Sequence, residues 1–448
     1  MNDQDLAMQI AQSVKAAGGR AFFVGGYVRD RLMGLSCKDI DLEVYGLAPQ
    51  KLREVLADFG EVYDRGASFG VLGLRHSDLD IAMPRRESRT GRGHGDFDVS
   101  VDPFLSYEDA SRRRDFTINA MMLDPLTGEI LDFWGGRTDL EKKIIRHVCD
   151  ATFGDDALRV FRAAQFAARL QAEIAPATVE ISRGMDVTAL SRERVYEELV
   201  KALMKAEKPS VFFRALITMG HLREFFPEVA DTVGVAQNPR FHPEGDVFQH
   251  TALTLDAAAR LRDQAREPVN FMLAALCHDL GKANASEVID GRITSYRHPE
   301  TGVPLAEAQL LRLTSNARTL AYVKNMVLLH MRPNMLAASL SKKKKTRQLF
   351  WESLCPEDLI LLSRADAEGK LDAPYDARYW DFLQERLKDY YACLERPMVT
   401  GKDLIQAGCK PGPALGRRIA RARQLHFSGL EKNRALHQVL KEIPPEET

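Results

Sequence analysis

The chain has no run of about 18 apolar residues, the length a helix needs to cross a bilayer, so no membrane contact is expected. It has no C-x-x-C pair. Its six cysteines, Cys37, Cys149, Cys277, Cys355, Cys393 and Cys409, are too far apart for a structural zinc site and read as buried free thiols in a reducing compartment. A basic start followed by an apolar run is also missing. Residues 1–19, MNDQDLAMQIAQSVKAAGG, place early acids on an amphipathic helical pattern, so no secretory signal is expected and the expected location is cytoplasmic. Net charge is nearly absent: 62 Lys and Arg against 63 Asp and Glu leave −1. That excludes a protein basic all over and leaves room for local basic faces. No internal repeat is visible. What is present, 45% hydrophobic and 28% charged residues, is the balance of a folded chain. With 448 residues it is too long for one ordinary core, and two to four domains of about 100 to 150 residues are expected.

The first residues predict a helix, a short apolar strand at 21–24, and a second helix opened by Gly25-Gly26 and stopped near Gly34. Lys38-Asp39-Ile40-Asp41-Leu42-Glu43-Val44 alternates strictly between polar and apolar, as a half-buried strand does. Further strands are expected at 71–74 and 79–83, which makes the head a mixed α/β unit. Residues 85–95, RRESRTGRGHG, predict a loop. From about 139 to 225 the pattern is helical, with Val160, Phe161, Ala164 and Phe166 among regularly placed arginines. Pro239 and Pro243 mark a break before a long helical region that runs to about 370.

Strand alternation puts Asp39, Asp41 and Glu43 on one side, with Ile40, Leu42 and Val44 toward the core. Carboxylates two residues apart suit Mg²⁺, which takes oxygen ligands and completes its shell with water and substrate phosphates. A lone D-x-D is more often a solvated strand face. Here it follows strand, Gly25-Gly26 and helix, an arrangement that lets backbone N–H groups approach a triphosphate. Asp80 alternates with Leu79, Ile81 and Met83 and is a candidate third carboxylate, with a surface role as the competing reading.

FVGGYVRDRLMG followed by KDIDLEVYG resembles the signature of class II tRNA nucleotidyltransferases and bacterial poly(A) polymerases, a branch of the DNA polymerase β superfamily. Arg113-Arg114-Asp115-Phe116-Thr117-Ile118-Asn119-Ala120 is similar to that family's ribose-recognition motif, and Asp132, Gly135, Gly136 and Asp139-Leu140 resemble its hinge. The resemblance implies a polymerase β-like mixed sheet with helices, followed by all-α neck, HD and C-terminal domains. It implies a two-metal phosphoryl transfer in which Asp39, Asp41 and Asp80 are catalytic, Asp39 and Asp41 hold Mg²⁺, and pyrophosphate leaves as an RNA 3′-hydroxyl attacks the α-phosphate. The nucleotide-binding set is then Gly25, Gly26, Arg29, Arg113, Arg114, Asp115, Asn119, Asp156, Arg159 and Arg162.

Asp155-Asp156-Ala157-Leu158-Arg159 stands where the family carries E-D-x-x-R, with Asp155 in place of the usual Glu. The i, i+3 spacing is expected to set Asp156 and Arg159 on one helix face. A carboxylate accepts from an exocyclic amine and a guanidinium donates to a ring nitrogen. Cytosine and adenine both offer an amine beside a ring acceptor, whereas uracil and guanine offer a carbonyl beside an N–H. Such a pair selects C and A without a template. Elsewhere the same spacing usually marks a surface ion pair.

His250, His278-Asp279 and Asp366 have the types and order of an HD phosphohydrolase, with His298 and His330 as additional candidate ligands. Imidazole with carboxylate suits a divalent transition metal such as Ni²⁺ or Mn²⁺. FHPEGDVFQHT, LCHDLGK and RADAEG resemble the HD domain of some bacterial CCA-adding enzymes, where they imply phosphatase and 2′,3′-cyclic phosphodiesterase activity. The tail, VTGKDLIQAGCKPGPALGRRIARARQLHFSG, resembles that family's tRNA-contacting segment, with Arg417, Arg418 and Arg421 expected at RNA phosphates. The expected domains are a head at 1–140, a neck at 141–230, an HD domain at 231–372 and a tRNA-binding segment at 373–448. The expected partners are tRNA, ATP and CTP, and the expected assembly a monomer or homodimer. Competing readings are an enzyme adding only A or only CC, a poly(A) polymerase, and an RNA-binding or nucleotide-sensing protein with inactive sites. The RRESR run favours A addition, and the intact Asp39, Asp41, His278 and Asp279 disfavour the last reading.

Overall fold

The computed structural model describes residues 2–35, 40–65, 70–89, 97–371 and 375–443, with side chains at 87–89 and 97–99 set aside. Asp39 lies outside the described residues. The chain forms two compact units, Met1–Ala202 with Val211–Glu224, and Leu203–Ser210 with Phe225–Thr448.

The head of the first unit has nine short strands among the described residues: β1 (Arg20–Val24), β2 (Asp41–Tyr45), β3 (Val62–Asp64), β4 (Val71–Leu74), β5 (Asp80–Ala82), β6 (Arg85–Arg89), β7 (Phe97–Val101), β8 (Met122–Leu123) and β9 (Ile130–Leu131); a two-stranded pair, Ile144–Ile145 with Glu173–Ile174, follows. Seven of them make a mixed sheet in the order β3-β4-β5-β2-β1-β8-β9. β1 is apolar from Ala21 to Val24 because both its faces are covered there. Ala21 and Phe23 pack with Ile10, Leu52 and Leu56 from the helices Asp3–Ala16 and Pro49–Ala57, while Phe22 and Val24 join Tyr45, Leu105 and Ala110 on the other side. Burying one such phenylalanine contributes about 2 to 3 kcal/mol.

The second cover corrects one expectation. Glu43 does share a face with Asp41, yet that face is closed by the helix Tyr107–Arg112 and its neighbours, and Glu43 is 1% exposed. A second correction concerns the expected loop. Residues 85–89 form β6, antiparallel to β7 with Arg85 opposite Val101 and Arg89 opposite Phe97, so the RRESR run is one strand of a two-stranded ribbon. Pairing with FDVSV gives that polar stretch a backbone partner that its own composition does not advertise.

The helices Leu158–Leu170, Pro176–Arg183 and Arg192–Lys205 follow, as the helical pattern predicts. The second unit is helical apart from a small hairpin, Glu287–Ile289 with Arg292–Thr294. Its main helices include Val247–Leu261, Pro268–Cys277, His298–Leu311, Ala317–Leu329 and Pro356–Glu368. The mixed-sheet head followed by helices is the expected fold class.

Candidate functional site

In the first unit three strand ends meet at one corner. Val24, the last residue of β1, is opposite Asp41 at the start of β2, and Asp41 in turn pairs with Asp80 at the start of the parallel β5. Gly25 leaves β1 with φ of +68°, a conformation that favours glycine. A Cβ there would sit 3.5 Å from Asp41 Oδ2 and 3.6 Å from Arg114 Nη1, ordinary contact distances, so it is the backbone conformation that calls for glycine in this cradle between a carboxylate and a guanidinium. Arg65 Nη1 donates to Asp80 Oδ1 at 2.6 Å, which leaves the other Asp80 oxygen for other contacts.

Arg113 and Arg114 are held from behind. Arg113 Nη2 donates to Glu43 Oε1 at 2.8 Å, and Arg114 Nη2 donates to Glu43 Oε2 at 3.2 Å, where the Tyr45 hydroxyl also donates at 2.9 Å. Burial opposes the charge on Glu43, but the two guanidinium groups outweigh it and hold the carboxyl below its ordinary range. The same carboxylate pushes the buried Tyr45 phenol, already disfavoured as a phenolate by burial, far upward.

Arg29, Asp115, Asn119 and Arg162 of the expected nucleotide set form a second chain of contacts. Asp115 Oδ2 accepts from Arg162 Nε at 2.8 Å and Asp115 Oδ1 from Asn119 Nδ2 at 3.0 Å. Asn119 Oδ1 accepts from Arg29 Nη1 at 2.6 Å, and Arg29 Nε donates to Asp30 at 2.8 Å. Burial resists the Asp115 charge, and Arg162 overcomes it, holding that carboxyl low. Arg29 is 3% exposed, packs over Phe166 and braces Asn119.

Asp156 and Arg159 depart from the expected geometry. The helix begins at Leu158, so Asp156 precedes it, its Oδ1 accepting from the Leu158 N–H at 3.1 Å. The competition of an aspartate with the backbone favours this position ahead of a helix over one inside it. Asp156 Oδ2 accepts from Arg194 at 2.9 Å. Arg159 donates to the carbonyls of Thr152 at 2.5 Å and Arg113 at 2.7 Å. The two side chains are neighbours in sequence but are engaged with different partners.

In the second unit the six expected ligands form one cluster, with the four histidines around Asp279 and Asp366 joined through His250. Asp279 Oδ2 lies 3.3 Å from His278 Nε2, 3.5 Å from His250 Nε2 and 2.6 Å from Lys282 Nζ. Asp279 Oδ1 lies 3.2 Å from His298 Nε2 and 3.6 Å from His330 Nε2. Asp366 Oδ1 is 3.0 Å from His250 Nε2. Three of the histidines stand at helix ends and direct Nδ1 to a carbonyl three residues earlier: His278 to Ala275 at 2.8 Å, His298 to Ser295 at 2.8 Å and His330 to Val327 at 2.7 Å. His250 instead directs Nδ1 to Glu244 Oε1 at 2.8 Å. Each Nδ1 is therefore occupied from outside and each Nε2 is turned inward, where it can serve as a ligand. His250 Nε2 and His278 Nε2 are 3.4 Å apart, and His298 Nε2 and His330 Nε2 are 3.3 Å apart. Asp279 Oδ1 is buried and has no hydrogen-bond partner among the described residues. Imidazole nitrogens crowded around an unsatisfied carboxylate oxygen fit divalent cations bound by mixed N and O donors.

Electrostatics agree. Burial disfavours the Asp279 charge, but Lys282 and His278 hold its carboxyl well below the usual range, as Lys370 and His250 do for Asp366. Burial disfavours a charged His250, yet Asp366 and Glu244 raise its pKa, so without a cation the ring keeps a proton that an entering ion has to displace. Gly281 lets the Asp279 turn approach the helix His298–Leu311, since a Cβ there would be 2.0 Å from the His298 carbonyl oxygen.

Of the tail arginines, Arg417 is exposed. Arg418 is 2% exposed with Nε donating to the Ile443 carbonyl at 3.0 Å, a correction to its expected place at RNA. The last helix, Lys432–Glu442, folds back and captures it there, and Arg421 is paired with Glu442. Glu43, Arg65, Glu244 and Lys282 are the site residues that sequence reasoning did not single out. Lys282 and Glu244 have a sequence signal, lying in HDLGK and HPEGD beside the ligands; Arg65 has none.

Comparison with known proteins finds known domains in the chain. Residues 21–146 match the model of the poly A polymerase head domain, 173–232 that of a probable RNA and SrmB-binding site of polymerase A, and 247–368 that of the HD domain. The chain is 36% identical over 418 residues to the multifunctional CCA protein of Alkalilimnicola ehrlichii, covering 90% of this chain and 94% of that one. Its fold is similar to the Bacillus stearothermophilus CCA-adding enzyme in complex with CTP, at 23% identity, 99% and 98% coverage and a TM-score of 0.67. It is likewise similar to the Thermotoga maritima CCA-adding enzyme complexed with tRNA, at 18% identity, 98% and 95% coverage and a TM-score of 0.63.

Proposed function

We propose, on the premise that this chain belongs to the tRNA nucleotidyltransferase and poly(A) polymerase family as a CCA-adding member with an HD domain, that it adds C and A from CTP and ATP to tRNA 3′ ends. In the same reading its HD centre hydrolyses phosphomonoesters and 2′,3′-cyclic phosphates. The observation that carries the first part is the register that sets Asp41 beside Asp80 at the mouth of the Gly25 cradle.

Asp41, with Asp39 from the sequence and Asp80, is the set to hold Mg²⁺. When bound, the ion stabilises charge on the attacking and departing oxygens. Arg114, fixed by Glu43, brings positive charge to the cradle where a triphosphate has to lie. Arg113 is fixed by the same carboxylate, and Asn119 is oriented by Asp115 and Arg29 for a ribose hydroxyl. Asp156 and Arg159 read the base once they exchange Arg194 and the two carbonyls for the amine and ring nitrogen of C or A.

In the HD centre, His250, His278 and Asp366 with Asp279 Oδ2 are the residues to hold one divalent transition ion, such as Ni²⁺ or Mn²⁺, and His298 and His330 with Asp279 Oδ1 a second. Bound ions of this kind polarise a phosphate and supply a nucleophile near neutral pH. Lys282 balances the Asp279 charge and points a cation at the same place.

The test is incubation of the purified protein with tRNA lacking its whole CCA end, lacking only the final A, or complete, each with single nucleoside triphosphates, followed by sequencing. C and A addition that stops at CCA supports the reading. Extension by A alone, by CC alone, or by an unlimited A tail overturns it in favour of the corresponding relative.

A further inference from the structure

The four HD histidines are not oriented alike. His278, His298 and His330 stand at helix termini, where a carbonyl three residues earlier takes the Nδ1 proton. His250 sits in the first turn of the helix Val247–Leu261, where backbone carbonyls are used by the helix itself, so its ring needs an acceptor from elsewhere. That acceptor is Glu244, in the loop before the helix. Its Oε1 lies 2.8 Å from His250 Nδ1 and 2.9 Å from His242 Nδ1, and its side chain is fully enclosed.

We infer that Glu244 is the positioning residue of the HD centre: it fixes His250 as the Nδ1–H tautomer and makes the ion position formed by His250, His278 and Asp366 the tighter of the two. The inference rests on the metal reading of this cluster. An ionised carboxylate can only accept, so both rings facing Glu244 must donate from Nδ1; His250 Nε2 faces Asp366 Oδ1 at 3.0 Å without an ion, and with Nδ1 held by Glu244 it is the Nε2 proton that a cation displaces. A carboxylate behind a ligating imidazole also raises its donor strength, which a neutral carbonyl does less. The second ion position has only carbonyls behind its histidines and no such support. His242 shares the Glu244 oxygen, and its ring stands edge-on to His250 with centroids 4.7 Å apart, so it fills the space behind the ligand without reaching the Asp279 oxygens by any contact among the described residues.

Glu244→Gln is the informative variant because it keeps the volume. Its amide can offer either an oxygen or an N–H to His250, so the ring is no longer held to one tautomer. Ni²⁺ is titrated calorimetrically into the metal-free full chain with Mg²⁺ in excess to fill the head. The wild type is expected to show a tighter and a weaker class. Glu244→Gln is expected to weaken the tighter class by about tenfold to a hundredfold and leave the weaker one within about twofold. Glu244→Asp, which keeps the charge on a shorter arm, is expected to recover part of the loss. Melting of the metal-free variants shows whether the fold is intact. Unchanged Ni²⁺ affinity in Glu244→Gln overturns the inference, as does an equal loss in both classes with a lowered melting temperature, which marks general structural support. Absence of Ni²⁺ binding by the wild type is a different result: it overturns the metal reading, and the inference with it.

Discussion

Asp41 and Asp80 are register partners across the parallel strands β2 and β5, and Arg65 holds Asp80 by one oxygen at 2.6 Å. Two carboxylates side by side at strand starts repel unless a cation lies between them or a neighbour offsets one charge. Asp41→Asn is therefore expected to lower nucleotide addition by about a hundredfold or more while leaving hydrolysis of 2′,3′-cyclic AMP intact. Parallel assays of one preparation check this, and loss of both activities argues against two separate centres.

His278→Ala combined with Asp279→Ala is expected to do the reverse. Asp279 serves both halves of the ligand cluster, so its removal disables both ion positions. Cyclic phosphate hydrolysis disappears and nucleotide addition persists. In the wild type, a chelator followed by excess Mg²⁺ restores nucleotide addition alone, and Ni²⁺ or Mn²⁺ is needed to restore hydrolysis.

Glu43 links stability to pH. Its folded pKa is lowered, so its contribution is present above the ordinary glutamate range of about 4.3 and is lost as pH falls through the lower folded value. Glu43→Gln leaves two half-buried guanidinium groups without their carboxylate and is expected to cost about 3 kcal/mol at neutral pH. Thermal melts of both proteins from pH 7 to pH 3 should converge toward the acid end. A gap that does not narrow shows that the Glu43 charge is not what holds Arg113 and Arg114.

Asp156→Ala is expected to relax base choice. Losing one hydrogen bond to the exocyclic amine costs C and A about 1 to 3 kcal/mol of preference, or roughly tenfold to a hundredfold. Single-nucleotide incorporation with all four triphosphates measures it. Retained strict C and A selection assigns Asp156 to the Arg194 ion pair alone.

Gly281→Ala drives a methyl group into the His298 carbonyl and the Gly302 N–H, both backbone atoms that cannot swing aside. A loss of about 1 to 3 kcal/mol is expected. Hydrolysis should fall with it, because the same contact sets His298 beside Asp279. A melting temperature equal to that of the wild type would show that the two backbones part without cost.

Local chemistry made much of this protein legible in one dimension. Glycine at Gly25, carboxylates at alternate positions around Asp41, and histidines paired with Asp279 and Asp366 are constraints written by residue type and spacing, so the mixed-sheet head and the ligand candidates could be read directly. Other features depend on what covers a residue, and that is decided by segments far away in the chain. Glu43 looks like its neighbour Asp41, yet the helix Tyr107–Arg112 closes over one and leaves the other at a strand end. Arg418 looks like Arg417, and only the return of the last helix buries it. The Arg85–Arg89 run has no pattern of its own and became a strand because β7 pairs with it. Sequence thus determined which groups were available for phosphate, base and metal chemistry. Tertiary packing decided which of them keep a free lone pair or an open face, because burial and the choice of hydrogen-bond partner are properties of pairs of segments rather than of either one.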